Sequence, residues 1–286
     1  MKVRVLYHQG TAPRQEDQII FCPPCLFAVA DGTSSVYVHG EEQKLFGGLT
    51  GGQLASRAVL KAFASAASTK SLEKIIERAR RELKKNIDSS GLDINDSASL
   101  PSASFIAVRI FVDPRTSKSR VEILQAGDCL AVWELASGIR HATPNKVFNY
   151  DRGLKAIIAD LMKKHNQNRI EMWRKFVPIL AERRRDAFNK KQGGFAVLNG
   201  QESGFSELCV KNSFPTETLR RLIIFTDGFV PFELTRSPQE LSRSVLSLYK
   251  KGGLPAVLEK TRDEEKRKLA ISHENFSEAT AVAIEF

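Results

Sequence analysis

Three aspartates, each closing an apolar run beside a glycine, are the residues of this 286-residue chain with the most chemistry to offer. They are Asp31 in Phe27-Ala28-Val29-Ala30-Asp31-Gly32, Asp128 in Leu124-Gln125-Ala126-Gly127-Asp128, and Asp227 in Leu222-Ile223-Ile224-Phe225-Thr226-Asp227-Gly228. An apolar run of this length reads as a buried strand. An acid at its end is fixed by the strand yet open to solvent, and the adjoining glycine permits a sharp turn and leaves a carbonyl accessible. If the three converge on one rim of a sheet, their charges repel unless cations lie between them. Hard oxygen donors suit Mg²⁺ or Mn²⁺, so the expectation is an all-oxygen site for more than one ion. Asp-Gly is also a common turn dipeptide, and any one of the three alone reads as a turn.

The elements that must position these acids follow from hydrophobic periodicity. Strands are expected at about 2–7, 19–21, 26–30, 103–112, 120–126, 129–134, 195–198, 206–211, 221–226 and 279–285. Helices are expected at about 52–66, 71–87 (with Ser71 as N-cap), within 153–190, and at 238–250 and 254–270. A polar loop, 88–101, joins the first helix pair to the next strand. Strands outnumber helices and do not alternate with them. That order argues for an α+β domain with helices over antiparallel sheets, and against a doubly wound parallel sheet.

Composition bounds the class. No run of about 18 apolar residues exists, so no membrane span is expected. The N-terminal segment lacks the apolar core of a signal peptide, which points to a cytoplasmic protein. Cys22-Pro23-Pro24-Cys25 has redox spacing but lies between two strand-like runs, so a hairpin turn is the better reading. Cys129 and Cys209 are isolated and complete no zinc site. The net charge of +10 suits an acidic partner. Residues 152–191 hold twelve of the Lys and Arg against four Asp and Glu, with an apolar stripe through Met172, Trp173 and Phe176. They read either as a solvated amphipathic insertion or as a surface for an anionic partner. Nucleic acid is disfavoured, because aromatics are not interleaved with the charge at Arg183-Arg184-Arg185.

Placed in order, the motifs carry a resemblance. Gln15-Glu16-Asp17, Ala30-Asp31-Gly32, Gly51-Gly52-Gln53-Leu54-Ala55, Ser102-Ala103-Ser104, Gly127-Asp128-Cys129, Gly194-Phe195-Ala196-Val197, Thr226-Asp227-Gly228 and Ser277-Glu278-Ala279-Thr280 follow one another as the signature segments of a known family do. The chain resembles, over almost its whole length, the metal-dependent (PPM-type) protein phosphatase 2C family, in its bacterial style. The resemblance implies a single domain, 1–286, built as a four-layer α-β-β-α sandwich of two antiparallel sheets flanked by helices, with 152–191 as a basic helical insertion. It implies a serine/threonine protein phosphatase with a phosphoprotein substrate and two Mg²⁺ or Mn²⁺ ions, joined by a weaker third. Asp31 would bridge two ions, Glu16 and the Gly32 carbonyl would complete the first, Asp227 would bind the second, and Asp128 would hold the third. Asp31 and Asp227 are thereby the catalytic acids, and a hydroxide shared by two ions would attack phosphorus in line.

The chain departs from the family in three places. Ser277 stands where the family has the terminal acid that binds the second ion. Glu278 follows it, but adjacent strand residues face opposite ways, so Glu278 needs a local turn to reach in, or Ser277 acts through water. Ala12 stands where many members have a phosphate-binding Arg. Arg14, two residues on with the same facing, is the candidate substitute. No His follows Asp31-Gly32. These departures keep two alternatives open: a catalytically silent phosphatase-fold module that binds a partner, and a phosphatase for a small phosphorylated metabolite.

Overall fold

The computed structural model describes residues 1–22, 25–33, 44–66, 71–165, 168–272 and 276–286. Among these residues ten strands form two five-stranded sheets, antiparallel throughout. The first contains β1 (Lys2–His8), β6 (Leu130–Leu135), β7 (Arg140–Ala142), β9 (Leu219–Phe225) and β10 (Ala279–Glu285), in the order β1-β10-β9-β6-β7. The second contains β2 (Gln18–Cys22), β3 (Leu26–Thr33), β4 (Ser102–Val112), β5 (Ser119–Ala126) and β8 (Val210–Pro215), in the order β2-β3-β4-β5-β8.

Strand side chains alternate between faces, and here both faces are buried. Phe27 and Val29 of β3, Ile106 and Val108 of β4, Leu222 and Ile224 of β9, and Val282 and Ile284 of β10 share the core between the sheets. Their neighbours Ala28, Ala30, Phe105 and Ala107 turn outward, under α1 (Gly51–Ala64) and α2 (Leu72–Ser89). On the opposite side Ile223, Phe225, Ala281 and Ala283 meet Leu241, Val245 and Leu258 of the last helical segment, Pro238–Ser272. The result is the expected four-layer sandwich. It also explains why the central strands are apolar without alternation: each strand serves two cores.

The helix ends are chemically specified. Thr50 caps α1 by accepting from the Gln53 N–H (3.0 Å), and the Gln53 side chain accepts in return from the Thr50 N–H (3.1 Å). Ser71 caps α2, accepting from the Lys74 N–H as its position suggested. Replacing Thr50 by Ala should cost about 1 kcal/mol of stability, the usual worth of an N-cap, measured by denaturant unfolding against wild type. Pro238–Ser272 is two helices meeting at a corner. Gly252 and Gly253 leave helical geometry there, as the separate expectations 238–250 and 254–270 imply.

Several boundaries differ from the sequence reading. Residues 195–198 form no strand but two isolated pairings, Phe188 with Phe195 and Ala103 with Leu198. Residues 206–211 divide into a single helical turn, α5 (Phe205–Leu208), and the start of β8. Strand β7 is only three residues long and lacks any apolar pattern. Residues 153–190 become α3 (Phe148–Lys164) and α4 (Arg169–Ala187); Asn168 caps α4 by accepting from the N–H groups of Ile170 and Glu171. Strands β2 and β3 do form the expected hairpin, and the Cys25 N–H donates to the Cys22 carbonyl at its turn. Pro23 and Pro24 lie outside the described residues. The four cysteines are free. No helix among the described residues is long and apolar enough to cross a membrane.

Candidate active site

The three aspartates reach one rim of the sandwich from both sheets. Asp31 stands on β3, paired across the ladder with Ser104 of β4. Asp128 follows β5 in a turn whose Gly127 has φ +74° and packs so closely on Ser104 that a Cβ would lie 2.0 Å from its hydroxyl oxygen. Only glycine fits both the conformation and the space. Asp227 begins a one-turn 3-10 helix after β9. Gly32 backs onto the start of α1, where an added Cβ would meet the Gly52 carbonyl at 2.4 Å. These contacts fix the rim from behind.

The electrostatics show how tightly the acids are grouped. Burial, and then the charges of Asp17, Asp227 and Asp128, push the Asp31 carboxyl well above its usual range, and Asp31 shares a hydrogen bond with Asp227. Burial and Asp227 push Asp128 up to about 6, against a hydrogen bond from Ser104. Asp17 is buried and accepts from the hydroxyls of Thr226 (2.8 Å) and Thr280 (2.6 Å). Burial still raises it to about 7, with Glu278 and Asp227 adding to the effect. A carboxylate cluster that prefers to keep protons is one that divalent cations would stabilise.

Two of the expected ligands have other tasks. The Glu16 carboxylate accepts from the Thr50 hydroxyl at the α1 N-cap. The Glu278 carboxylate is engaged by backbone, accepting from the N–H groups of Glu16 (2.7 Å) and Asp17 (2.5 Å). It therefore ties the C-terminal motif to the N-terminal one. Ser277 lies where the resemblance puts the missing acid, with its Cβ against Gly228 and its side chain exposed. Arg262 holds this segment by donating to the Ser277 carbonyl (2.7 Å). Arg14 donates to the Gly48 carbonyl (2.8 Å) and is exposed.

The insertion contributes what sequence reasoning missed. Asp151 and Lys155 of α3 line a cavity of about 130 Å³ together with Asp128, Asp227 and Ser277. A larger cavity of about 450 Å³ has Asp31, Asp128 and Asp227 on one side and α3 and α4 on the other, including Arg184. Burial, with Asp128 and Asp227, raises Asp151 to about 8, while Lys155 opposes the rise. Arg184 was read as part of an outward basic run, yet it is only 6% exposed. The signal was in the helical phase. Met172, Phe176, Leu180, Arg184 and Phe188 recur every four residues, so Arg184 belongs to the apolar stripe. Asp17 was visible inside Gln15-Glu16-Asp17 but was given no role.

The donor set is all oxygen and suits a hard divalent cation in kind. Asp31, Asp128 and Asp227 with the Gly32 carbonyl are the groups that could hold one. Among the described residues, however, no three His, Cys, Asp or Glu side chains are drawn together as a formed metal site.

The raised carboxyls predict a pH dependence. A group whose folded value is raised holds a proton that the unfolded chain, with Asp near 3.8, has lost. Its stabilisation is full below the unfolded value and falls as pH rises through the folded one. The acids that are lowered, Glu77 by Arg80 and Glu285 by the Tyr249 hydroxyl and then Arg4, have the opposite sign and act below about pH 5. Metal-free protein should therefore lose Tm between about pH 5 and pH 8, the interval set by Asp128, Asp17 and Asp151. Mn²⁺ should cancel the loss by replacing the protons. Melts in chelator and in Mn²⁺ at both pH values check this; a flat metal-free profile would contradict the clustering.

Comparison with solved structures decides the architecture. The chain matches the Mycobacterium tuberculosis serine/threonine phosphatase PstP/Ppp over 100% of its own length and 98% of that chain, with a TM-score of 0.55 at 13% identity. It has the fold of the PPM-type serine/threonine phosphatases. The Staphylococcus aureus phosphatase Stp1 matches this phosphatase fold equally well, at TM-score 0.55 and 14% identity, over 100% of this chain and 94% of that one. The catalytic domain of PstP in complex with two manganese ions covers 99% of the chain and 96% of its own length, at TM-score 0.52 and 13% identity. No protein-family model and no curated protein matches the sequence. At these identities the phosphatase fold is what is shared.

Proposed function

We propose that the protein is a Mg²⁺- or Mn²⁺-dependent phosphatase acting on phosphoserine or phosphothreonine in a protein substrate. The observation that carries this is the convergence of Asp31, Asp128 and Asp227, from three separate strand ends, on one side of a cavity in a phosphatase fold. Asp31 and Asp227, hydrogen-bonded to each other, would hold ions with the Gly32 carbonyl, and Asp128 would hold a further, weaker one. Divalent ions there would supply a water nucleophile at neutral pH and neutralise charge on the phosphoryl oxygens. The protein's own part is to fix the acids. Thr226 and Thr280 lock Asp17 behind the rim, and Glu278 locks the backbone of Glu16 and Asp17. Reaction by water needs no covalent intermediate, so the absence of a cysteine phosphatase motif is consistent.

The test is hydrolysis of p-nitrophenyl phosphate across a Mn²⁺ and Mg²⁺ titration. Metal-dependent turnover is expected. Folded protein with no turnover at saturating metal would reject the assignment.

A second reading has its own observations. Ser277 has no carboxylate, and the carboxylates of Glu16 and Glu278 are both engaged elsewhere. A silent phosphatase-fold module that binds its phosphorylated partner would look the same. It is the reading that remains if turnover is absent while phosphopeptide binding persists.

A further inference from the structure

The cavity of about 450 Å³ is larger and less polar than a phosphate group requires. Its carboxylate side is the rim already described. Its opposite side is formed by the insertion, with Leu154 and Ile158 of α3, Phe176 and Leu180 of α4, and Phe188 and Phe195 beyond them. Phe176, Phe188 and Phe195 are nearly fully buried. Cavities of this size with mostly apolar walls and a few convergent polar groups are typical of ligand sites.

Two cations line this cavity: the exposed Lys155 of α3, whose ammonium lies over the Phe232 ring at 3.4 Å, and Arg184 of α4. The Arg184 guanidinium is buried, and burial pulls its proton affinity down, against a hydrogen bond with Tyr150 and the charge of Glu16. It lies over the Phe188 ring at 5.4 Å. Its backbone carbonyl is spent on the Ser97 hydroxyl and the Phe188 N–H, which fixes α4 at this point. Burying a guanidinium is costly, and the planar fork matches the oxygens of a phosphate. The N-terminal segment offers nothing equivalent. Position 12 is alanine, and Arg14 is exposed and bound to the Gly48 carbonyl.

We propose that this cavity is a specificity pocket, in which Arg184 binds the substrate phosphate and the apolar wall of α3 and α4 receives an apolar group carried beside it. The shared chemistry is a phosphomonoester with an apolar neighbour. Resting on the protein-phosphatase reading above, the substrate is a phosphopeptide with a large apolar residue adjoining the phosphorylated one. A phosphate flanked by charged or small residues leaves the wall unused.

The test measures binding, so it does not depend on turnover. Fluorescence anisotropy in Mn²⁺ would compare two peptides of equal charge bearing a non-hydrolysable phosphonate analogue of phosphothreonine, one flanked by leucine and one by glycine. Phenylphosphonate would serve as a competitor. The leucine peptide should bind about tenfold tighter or better, the affinity equivalent of burying one large apolar side chain. Leu154→Glu, at a half-buried position, should erase that preference and keep phosphonate dependence. Arg184→Gln should erase most of the difference between phosphonate and unmodified peptide; Arg184→Lys should restore part of it. Circular dichroism verifies that each variant is folded. Competition by phenylphosphonate without any discrimination between the peptides would keep the pocket but assign it to a small aryl phosphate. Equal binding of both peptides with no competition, or full phosphonate dependence in folded Arg184→Gln, would overturn the proposal. Hydrolysis of p-nitrophenyl phosphate in the same preparations separates this outcome from failure of the phosphatase reading.

Discussion

Asp31→Asn should abolish most metal-dependent phosphatase activity while making the metal-free protein more stable. Both effects come from one fact: Asp31 is a half-buried, desolvated carboxyl pressed by the charges of Asp17, Asp227 and Asp128. On the proposed function Asp31 would be the acid that serves two ions, and asparagine offers a neutral, weaker donor. Changing outer-shell partners of metal sites typically costs about 10–100-fold, so loss of a shared ligand should exceed about 100-fold. In chelator the balance reverses. The variant carries one fewer carboxyl into a crowded, desolvated rim, and its amide can still donate to Asp227. Its Tm should therefore rise above that of wild type in EDTA and fall below it in Mn²⁺. A variant with near-wild-type turnover would place the catalytic centre elsewhere. One destabilised in chelator would show that the rim is held by Asp31 rather than strained by it.

Ser277→Asp should act in the opposite sense. Ser277 lies against Gly228, next to Asp227, and faces the cavity shared with Asp128 and Asp151. A carboxylate there adds a hard anionic donor where the chain now offers a hydroxyl. The Mn²⁺ concentration for half-maximal activity should fall at least about tenfold, the scale on which even outer-shell changes act. Metal-free stability should drop, because the new charge faces Asp227. Calorimetric titration of Mn²⁺ and melts in chelator measure the two effects independently of turnover. An unchanged metal affinity would mean that a carboxylate already present fills the position. Asp151, brought to the same cavity by α3, is the acid that would then be doing so.

Much of the fold could be read because each central strand faces two cores. Runs such as Leu222-Ile223-Ile224-Phe225 are apolar at every position, as a strand buried on both faces requires. Where only one edge or one face is used, the signal fades. Strand β7 is three residues, Arg140 to Ala142, held by pairing with β6 rather than by its own pattern. Residues 195–198 are apolar without running in a sheet: Phe195 and Val197 pack against Val147 and Phe188, and Ala196 and Leu198 join the core under α1 and α2. Of the site, the rim acids were legible as strand ends next to glycines. The wall was not, because α3 and α4 look from their composition like a charged surface feature. Composition counts Arg184 with Arg183 and Arg185; geometry turns it the other way. Glu278 was weighed as a ligand that needs a local turn to reach in, and its hydrogen bonds to Glu16 and Asp17 reveal a fastening role.

That fastening has a consequence for how the protein is made. The Glu16 N–H is satisfied by a carboxylate 262 residues further along the chain, and among the described residues β1 joins its sheet only through β10. A nascent chain on the ribosome has all of Glu16, Asp17, Asp31, Asp128 and Asp227 long before it has either partner. Contacts of such long range form late and slow the final ordering of a domain. Asp31 on β3 and Asp128 after β5 belong to the sheet that lacks β10, so what waits for β10 is the fastening of β1 and of the Glu16 and Asp17 backbone.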